Sequence, residues 1–443
     1  MRNGQDFRSA GEFTGALSAQ SSHSGAIALL LLSLAVPSTL TIYLGDSKFY
    51  LARLVIIILL VPASLLLLRK GRRLVIADLF MTLASVWMIA AILIAGRYDS
   101  LSSVLAVFLE FWGGYVVARG FIFGRPAIEA YVDKLKPVVV IVVLAAMMDH
   151  VSGYLVLNSL IGPLVGVPLD PTPEYRAGLM RAMSVFPHPI LYGTFCAAAG
   201  AVFLYARQWA FAVLSLFGCV LSMSSMPLLV FGIVIGVYGY DTVLNRYSWR
   251  WQLLVAIVAG FFAVIFVVTT HPTSWVIAHL TFDPSTGYFR QATWDRAFYN
   301  IGLSPLTGYG FDEIGTPVGR EFFDNVSVDA VWLVLALRFG LPIVPLLLLA
   351  NICSFYGGAR KRRIRRTFGV YMNDLQTGFT LAIWVLMLAG LTVHYWNTLW
   401  LFWGVCLGIR AGFQEGYGAG RAGAASLLPR PYANANLKTA YRR

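Results

Sequence analysis

Apolar runs broken by short polar or basic stretches fill almost the whole chain. Several reach the roughly 20 residues that a helix needs to cross the hydrocarbon core of a bilayer, for example 26–44 and 253–269. The pattern predicts about 12 transmembrane helices, at 26–44, 51–68, 75–95, 101–118, 137–157, 189–206, 209–223, 227–244, 252–270, 329–350, 377–393 and 396–410. A polar start of roughly 25 residues precedes the first run, which is too long for a signal-peptide core, so an uncleaved helix is expected there.

Composition strengthens this reading. Of 443 residues, 58% are hydrophobic and only 12% charged, whereas soluble globular domains are about a quarter charged. An independent soluble enzyme domain is excluded. The expected fold class is an all-α polytopic membrane protein: an N-terminal tail over 1–25, one transmembrane domain over 26–413, and a flexible C-terminal tail over 414–443 rich in glycine, alanine and basic residues. Cys196, Cys219, Cys353 and Cys406 lie in apolar runs without C-x-x-C spacing, so they read as small packing residues rather than a metal or redox site.

Charge sets an orientation. With both termini in the cytoplasm, the inner segments receive Arg69–Arg73, the 119–136 stretch, Arg207, Arg246, Arg250, the basic run 360–366 and the C-terminal tail. Most basic residues then lie inside, as the positive-inside rule requires. The run at 360–366 and the net charge of +13 fit contact with anionic headgroups, and no nucleic-acid partner is implied.

Two outward segments, about 158–188 and about 271–328, exceed what a connection needs. Their Trp, Tyr, Phe, Pro and Gly content argues for ordered structure at the membrane surface. Every Lys or Arg position in them is arginine: Arg176, Arg181, Arg290, Arg296 and Arg320. A planar guanidinium makes paired hydrogen bonds to phosphate or carboxylate oxygens; the plainer alternative is surface salt bridges to Glu174, Asp295 and Glu321. Pro173 is expected to open a short helix aligning Ala177, Arg181 and Ser184, and Pro187-His188-Pro189 to end it. Asp283-Pro284 is expected to start a helix carrying Arg290 and Trp294 on one face. Gly308-Tyr309-Gly310 reads as a tight turn or close backbone approach, and Asp329 stands at the outer start of the following helix. Glu110, deep in an apolar run, is expected to be functional or paired. Asp149 and His150, near an outer helix end, are less informative.

Three segments in this order, RAMSVFPHPILYG (181–193), RQATWDRAFYNIGLSPLTGYGFDEIG (290–315) and SVDAVWLVLALRFGLP (327–342), resemble the O-antigen polymerase and ligase superfamily of Wzy-type polymerases and their relatives. The resemblance implies a GT-C-type membrane glycosyltransferase with a large late periplasmic loop, in a bacterial inner membrane. The implied donor is an oligosaccharide on undecaprenyl diphosphate, and the acceptor a sugar hydroxyl. Transfer would be inverting, with neither metal nor cofactor, and a chain-length regulator is an implied partner. Arg181 and Arg290 match the family's arginines and would hold the diphosphate, with Arg176 and Arg296 as further candidates. Ligases usually carry histidine where this chain has Asp329, so the third segment resembles a polymerase-like subset. Asp329 and then His188 are the candidates to receive the acceptor's proton. Trp294, Tyr309 and Arg320, with Tyr288 and Phe311, are candidate sugar contacts. Fixed arginines meet the chemical need, since a departing diphosphate requires negative charge to be stabilised and no acid to protonate it. A ligase attaching finished glycan, a repeat-unit flippase and a membrane scaffold are the alternatives.

Overall fold

A computed structural model describes residues 23–37, 40–44, 47–165, 172–269, 284–311, 328–355 and 361–426, with backbone alone at 43–44, 47, 161–165, 284–292, 361–368 and 416–426. The first helix, α1 (His23–Leu34), is shorter than the expected 26–44 span. The chain turns at Pro37, whose carbonyl accepts from the Leu40 N–H at 3.1 Å, and β1 (Thr41–Leu44) pairs antiparallel with β2 (Ser47–Tyr50). A proline disfavours helix in the residue before it, and β-branched Thr41 and Ile42 suit extended backbone. Hydropathy alone does not separate the two conformations.

Helices α2 (Leu51–Leu67) and α3 (Ile76–Ile94) follow the expected runs. A 3-10 turn (Tyr98–Ser100), α4 (Leu101–Phe108), a π-helical turn (Leu109–Gly113) and α5 (Gly114–Phe121) stack as one apolar segment of 24 residues. The next helix, α6 (Arg125–Ser152), begins well before the expected 137. Its first turns are amphipathic rather than apolar, with Pro126 at the start and the pairs Arg125–Glu129 and Lys136–Asp133 along the polar face. Gly153, in the left-handed region, ends it. After α7 (Val156–Val165) comes a hairpin of β3 (Tyr175–Arg176) and β4 (Leu179–Met180), where a helix from Pro173 was expected. Ala177 (φ 52°) and Gly178 (φ 79°) form a two-residue turn with both φ positive, the geometry whose twist matches paired strands.

Then come α8 (Pro189–Tyr205), α9 (Trp209–Leu221), α10 (Ser225–Val243), α11 (Arg250–Val268) and α12 (Pro284–Leu303). The last of these is the helix expected after Asp283-Pro284. The expected 329–350 span is two helices, α13 (Val331–Phe339) and α14 (Ile343–Phe355), parted at Gly340-Leu341-Pro342. Helix α15 (Lys361–Ala389) is broken at Gly369 (φ 75°), and α16 (Thr398–Ser426) closes the described chain.

Helix α8 is buried on every side, packed by α9, α10 and α15. Helix α16 lies directly on α5: a Cβ at Gly404 would stand 2.2 Å from the Phe111 carbonyl oxygen, and one at Gly408 2.5 Å from that of Tyr115. Small residues four apart let helix backbones approach where apolar burial gives no driving force. Among the described residues five helices are long and apolar enough to cross a membrane: α3, the Tyr98–Phe121 segment, α6, α10 and α11. Almost nothing covers α11, where Val267 is 86% exposed, and so uncovered an apolar helix fits a lipid solvent.

Charged groups gather at the two ends of the bundle. At one end Arg119, wholly buried, binds Asp78 through Nε at 2.8 Å and Glu415 through Nη1 at 2.6 Å. Arg72 also binds Glu415, at 2.7 Å and 3.0 Å. Arg207–Asp374 and Arg250–Asp241 follow from the far ends of α8 and α10, so these basic residues, all read as cytoplasmic, share one end. Within the bundle Glu110, on the π-helical turn, binds Arg53 of α2 with Nε at 3.0 Å, so it is paired as expected. Replacing Arg119 with leucine leaves buried Asp78 without a cation and Glu415 with Arg72 alone. The variant is expected to lose about 3–5 kcal/mol, measured as a lower unfolding midpoint in detergent, with part of the loss recovered when Asp78→Asn is added.

Candidate functional site

At the opposite end of the bundle, the segment bearing Arg181 is strapped down before any side chain can be aimed. Asp149, near the end of α6, accepts the backbone N–H groups of Val156 at 2.9 Å and Ser184 at 2.8 Å. The neighbouring His150 reaches the Met180 carbonyl at 2.6 Å, and Ser184 Oγ donates to the Val142 carbonyl at 2.7 Å. Ser184 itself has φ 55°, a conformation these bonds hold. The two α6 residues that carried least meaning in the sequence thus fix the arginine loop.

Arg181 then enters a polar cluster and is only 9% exposed. Its Nη1 binds Glu174, its Nη2 donates to Ser224 Oγ at 2.6 Å, and its Nε to the Ser222 carbonyl at 3.4 Å. A guanidinium carries five N–H donors, so two are left over. Glu174 also accepts from Nε2 of His188 at 2.9 Å, while Nδ1 of His188 accepts the Ile190 N–H at 3.2 Å and so caps α8. Those contacts place the imidazole proton on Nε2 and occupy both nitrogens. Burial pushes the Glu174 carboxyl up, but the His188 hydrogen bond and the charge and hydrogen bond of Arg181 outweigh it and hold Glu174 below its ordinary range. Exposed Arg176 donates to the Met223 carbonyl at 2.7 Å beside this cluster.

Aromatic rings carry the site onward. The His188 ring lies 6.0 Å from that of Trp396, and Trp396 lies 5.2 Å edge-on from His394. His394 sits in the connection between α15 and α16, 7% exposed, with Nδ1 buried and without a hydrogen-bond partner. Burial, reinforced by the charge of Arg338, drives its pKa down to about 3. Arg338, on the last turn of α13, stacks over Phe311 at 4.3 Å.

The expected turn at Gly308-Tyr309-Gly310 is what places Phe311 there. Tyr309 and Gly310 donate to the carbonyls of Leu337 at 2.7 Å and Arg338 at 2.9 Å, and Leu341 donates back to Pro305 at 2.7 Å. A Cβ on Gly308 would meet the Leu337 carbonyl at 2.4 Å, and one on Gly340 the Leu306 carbonyl at 1.9 Å, so both glycines are needed for contact as well as for φ. Tyr309 lies under the Arg97 guanidinium at 5.6 Å and spends its hydroxyl on the Asn300 carbonyl at 2.9 Å.

Of the residues singled out in the sequence, Arg181, Arg176 and His188 come together, and Tyr309 joins the same end through Phe311 and Arg338. Trp294 packs against the apolar cluster of Ala297, Ile301, Ala330 and Leu333. Asp329 is exposed and stands directly before Ala330, the N-cap position of α13. Arg296 is half-buried on α12. Arg290 belongs to α12 by its backbone, while its side chain, that of Tyr288 and the whole of Arg320 lie outside the described residues. Glu174, Arg338, His394 and Trp396 were missed as site residues. Glu174 was legible only as an acid near Arg181, and the other three lie in or beside apolar runs where periodicity assigns them to packing.

Against known proteins, the chain matches no family model and no curated sequence. The site offers a guanidinium with free donors, hydrogen-bonding acceptors nearby and exposed aromatic surface, an arrangement suited to an anionic group beside a ring-shaped one.

The low pKa of His394 fixes a sign. Between pH 6.5 and about 3 the unfolded chain binds a proton there and the folded chain does not, so stability falls as pH falls through that window. His394→Phe is expected to flatten the dependence of the melting midpoint on pH between 6.5 and 4.5, measured by differential scanning fluorimetry.

Proposed function

We propose that the chain is a membrane glycosyltransferase that polymerises oligosaccharide repeat units carried on undecaprenyl diphosphate, at the periplasmic face of a bacterial inner membrane. The observation that carries the reading is the cluster of Arg181, Glu174 and His188, set at the end of the bundle away from the Arg72, Arg119 and Glu415 network. An arginine placed against the positive-inside bias and kept with spare donors has a use for anionic oxygens.

In this reaction the acceptor hydroxyl oxygen attacks the anomeric carbon from the face opposite the diphosphate. The bond from that carbon to the phosphate oxygen breaks, and its electron pair stays on the diphosphate. Arg181 binds the charge that builds there, in a setting where water is partly excluded and the interaction is strong. Its bonds to Glu174 and Ser224 hold the guanidinium in one orientation, which removes the cost of arranging it during the reaction. His188 positions Glu174, both of its nitrogens being engaged. The acceptor's proton passes to Asp329, the exposed carboxylate at the head of α13. Arg290 and Arg296 on α12 join Arg181 on the diphosphate, and Trp396 with Tyr309 offers ring faces to sugar.

Transport is the second reading, supported by one observation. The Arg53–Glu110 pair lies buried inside the bundle at a π-helical turn, where ionisable groups often mark a substrate path. Liposomes containing the purified chain would move lipid-linked repeat units without lengthening them if that reading held.

Arg181→Ala and Arg290→Ala, expressed in a deletion strain, are expected to insert normally and to cut long-chain polymer by about 100-fold or more, measured on size-resolved polysaccharide gels. Wild-type polymer from both variants contradicts the proposal. Full-length but unattached polymer in the deletion strain marks a ligase, and single repeat units mark the polymerase.

A further inference from the structure

The turn between α2 and α3 packs its cations into one short run, Arg69-Lys70-Gly71-Arg72-Arg73, at the end of the bundle read as cytoplasmic. Arg72 is spent inside the protein, on Glu415 at 2.7 Å and on the Arg119 carbonyl at 2.6 Å. The same buried network takes up the backbone of the turn. Glu415 accepts the Arg73 N–H at 2.9 Å, Arg119 donates to the Arg73 carbonyl at 3.2 Å, and Asp78 accepts the Val75 N–H at 2.7 Å. Gly71 (φ 95°) supplies the left-handed conformation that lets the chain reverse there. What remains are the side chains of Arg69, Lys70 and Arg73. All three are exposed, and among the described residues no carboxylate pairs with them. A topology signal needs only positive charge on this side of the membrane. It does not need the turn that carries the charge to be fastened to two buried carboxylates and a buried arginine.

The flanks of the turn are apolar and uncovered. Leu68 and Leu74 bracket the cations, 74% and 70% exposed. Val61 and Leu65 continue the exposed stripe of Leu68 along α2 at helical spacing, and Ile76 and Leu79 begin another along α3. Cations held at a fixed turn, with leucines on both sides leading into the hydrocarbon, match an amphiphile with a negative head and two apolar chains.

We propose that the 69–73 turn is a binding site for the headgroup of an anionic glycerophospholipid in the adjoining leaflet. Arg69 and Arg73 donate paired N–H bonds to its phosphate oxygens, Lys70 adds a point charge, and the acyl chains lie along the α2 and α3 stripes. An acidic peptide would meet the same cations but has no use for apolar shoulders that continue along both helices. The site stands at the opposite end of the bundle from Arg181 and does not rest on the glycosyl-transfer reading.

The test is native mass spectrometry of the full-length chain released from neutral detergent and titrated with dioleoyl phosphatidylglycerol or dioleoyl phosphatidylcholine. Wild type is expected to retain phosphatidylglycerol at least about tenfold more tightly than phosphatidylcholine. A variant combining Arg69→Gln, Lys70→Gln and Arg73→Gln is expected to lose that preference while keeping the wild-type melting midpoint in detergent without added lipid, since the exchanged side chains form none of the ion pairs that hold the fold. A control combining Arg125→Gln, Arg207→Gln and Arg246→Gln removes as much charge from the same end and is expected to keep the preference. The inference is overturned if wild type retains both lipids equally, or if the first variant still prefers phosphatidylglycerol. It is also overturned if the control loses the preference to the same extent, because retention then follows net charge and not the turn.

Discussion

A charge inside an apolar helix bundle must find a partner, and that constraint orders this structure more than any apolar contact does. In a medium that cannot solvate them, ions survive only when paired and hydrogen-bonded. Arg119 satisfies it with Asp78 and Glu415, and in doing so ties the start of α3 to α5 and α16. Arg53 satisfies it with Glu110, joining α2 to the π-helical turn. Arg181 satisfies it with Glu174, and the same carboxylate reaches on to His188 and orients the start of α8. Each pair is structural, because each stitches elements distant in sequence. Arg53 and Arg181 each keep two N–H donors beyond these bonds. Of the two, only Arg181 stands at the end of the bundle where His188 meets Trp396.

How far the sequence revealed this depends on the range of each interaction. Local signals held where they were self-contained. Asp283-Pro284 precedes the helix α12, and Gly308-Tyr309-Gly310 makes the close backbone approach that two glycines permit. Hydropathy located the apolar segments but not their internal breaks. It ran α1 through the turn at Pro37 and joined α13 to α14 across Gly340-Leu341-Pro342, since a run of apolar residues keeps its character when its backbone changes direction. The helix expected from Pro173 is a hairpin because Ala177-Gly178 forms a turn with both φ positive, a conformation that an alanine does not announce.

The site was legible in part for the same reason. Arg181 and His188 stand seven residues apart and share a carboxylate that lies seven residues before Arg181, so proximity in sequence carried them. His188 and Trp396 come from the start of α8 and from the connection before α16, and nothing local announces that their rings meet. That connection is held by Val331 at the start of α13, whose N–H donates to the Val393 carbonyl at 3.1 Å. Long-range placement of this sort is invisible to periodicity. It becomes readable only once each buried polar atom is asked for its partner.

The most direct measurement is an experimental structure of the full-length chain in nanodiscs with undecaprenyl diphosphate bound. The account predicts phosphate density within hydrogen-bond distance of the Arg181 guanidinium, at the end of the bundle bearing Trp396. Phosphate density at the Arg72 and Glu415 end, or a well-ordered Arg181 with no ligand near it, would contradict the account.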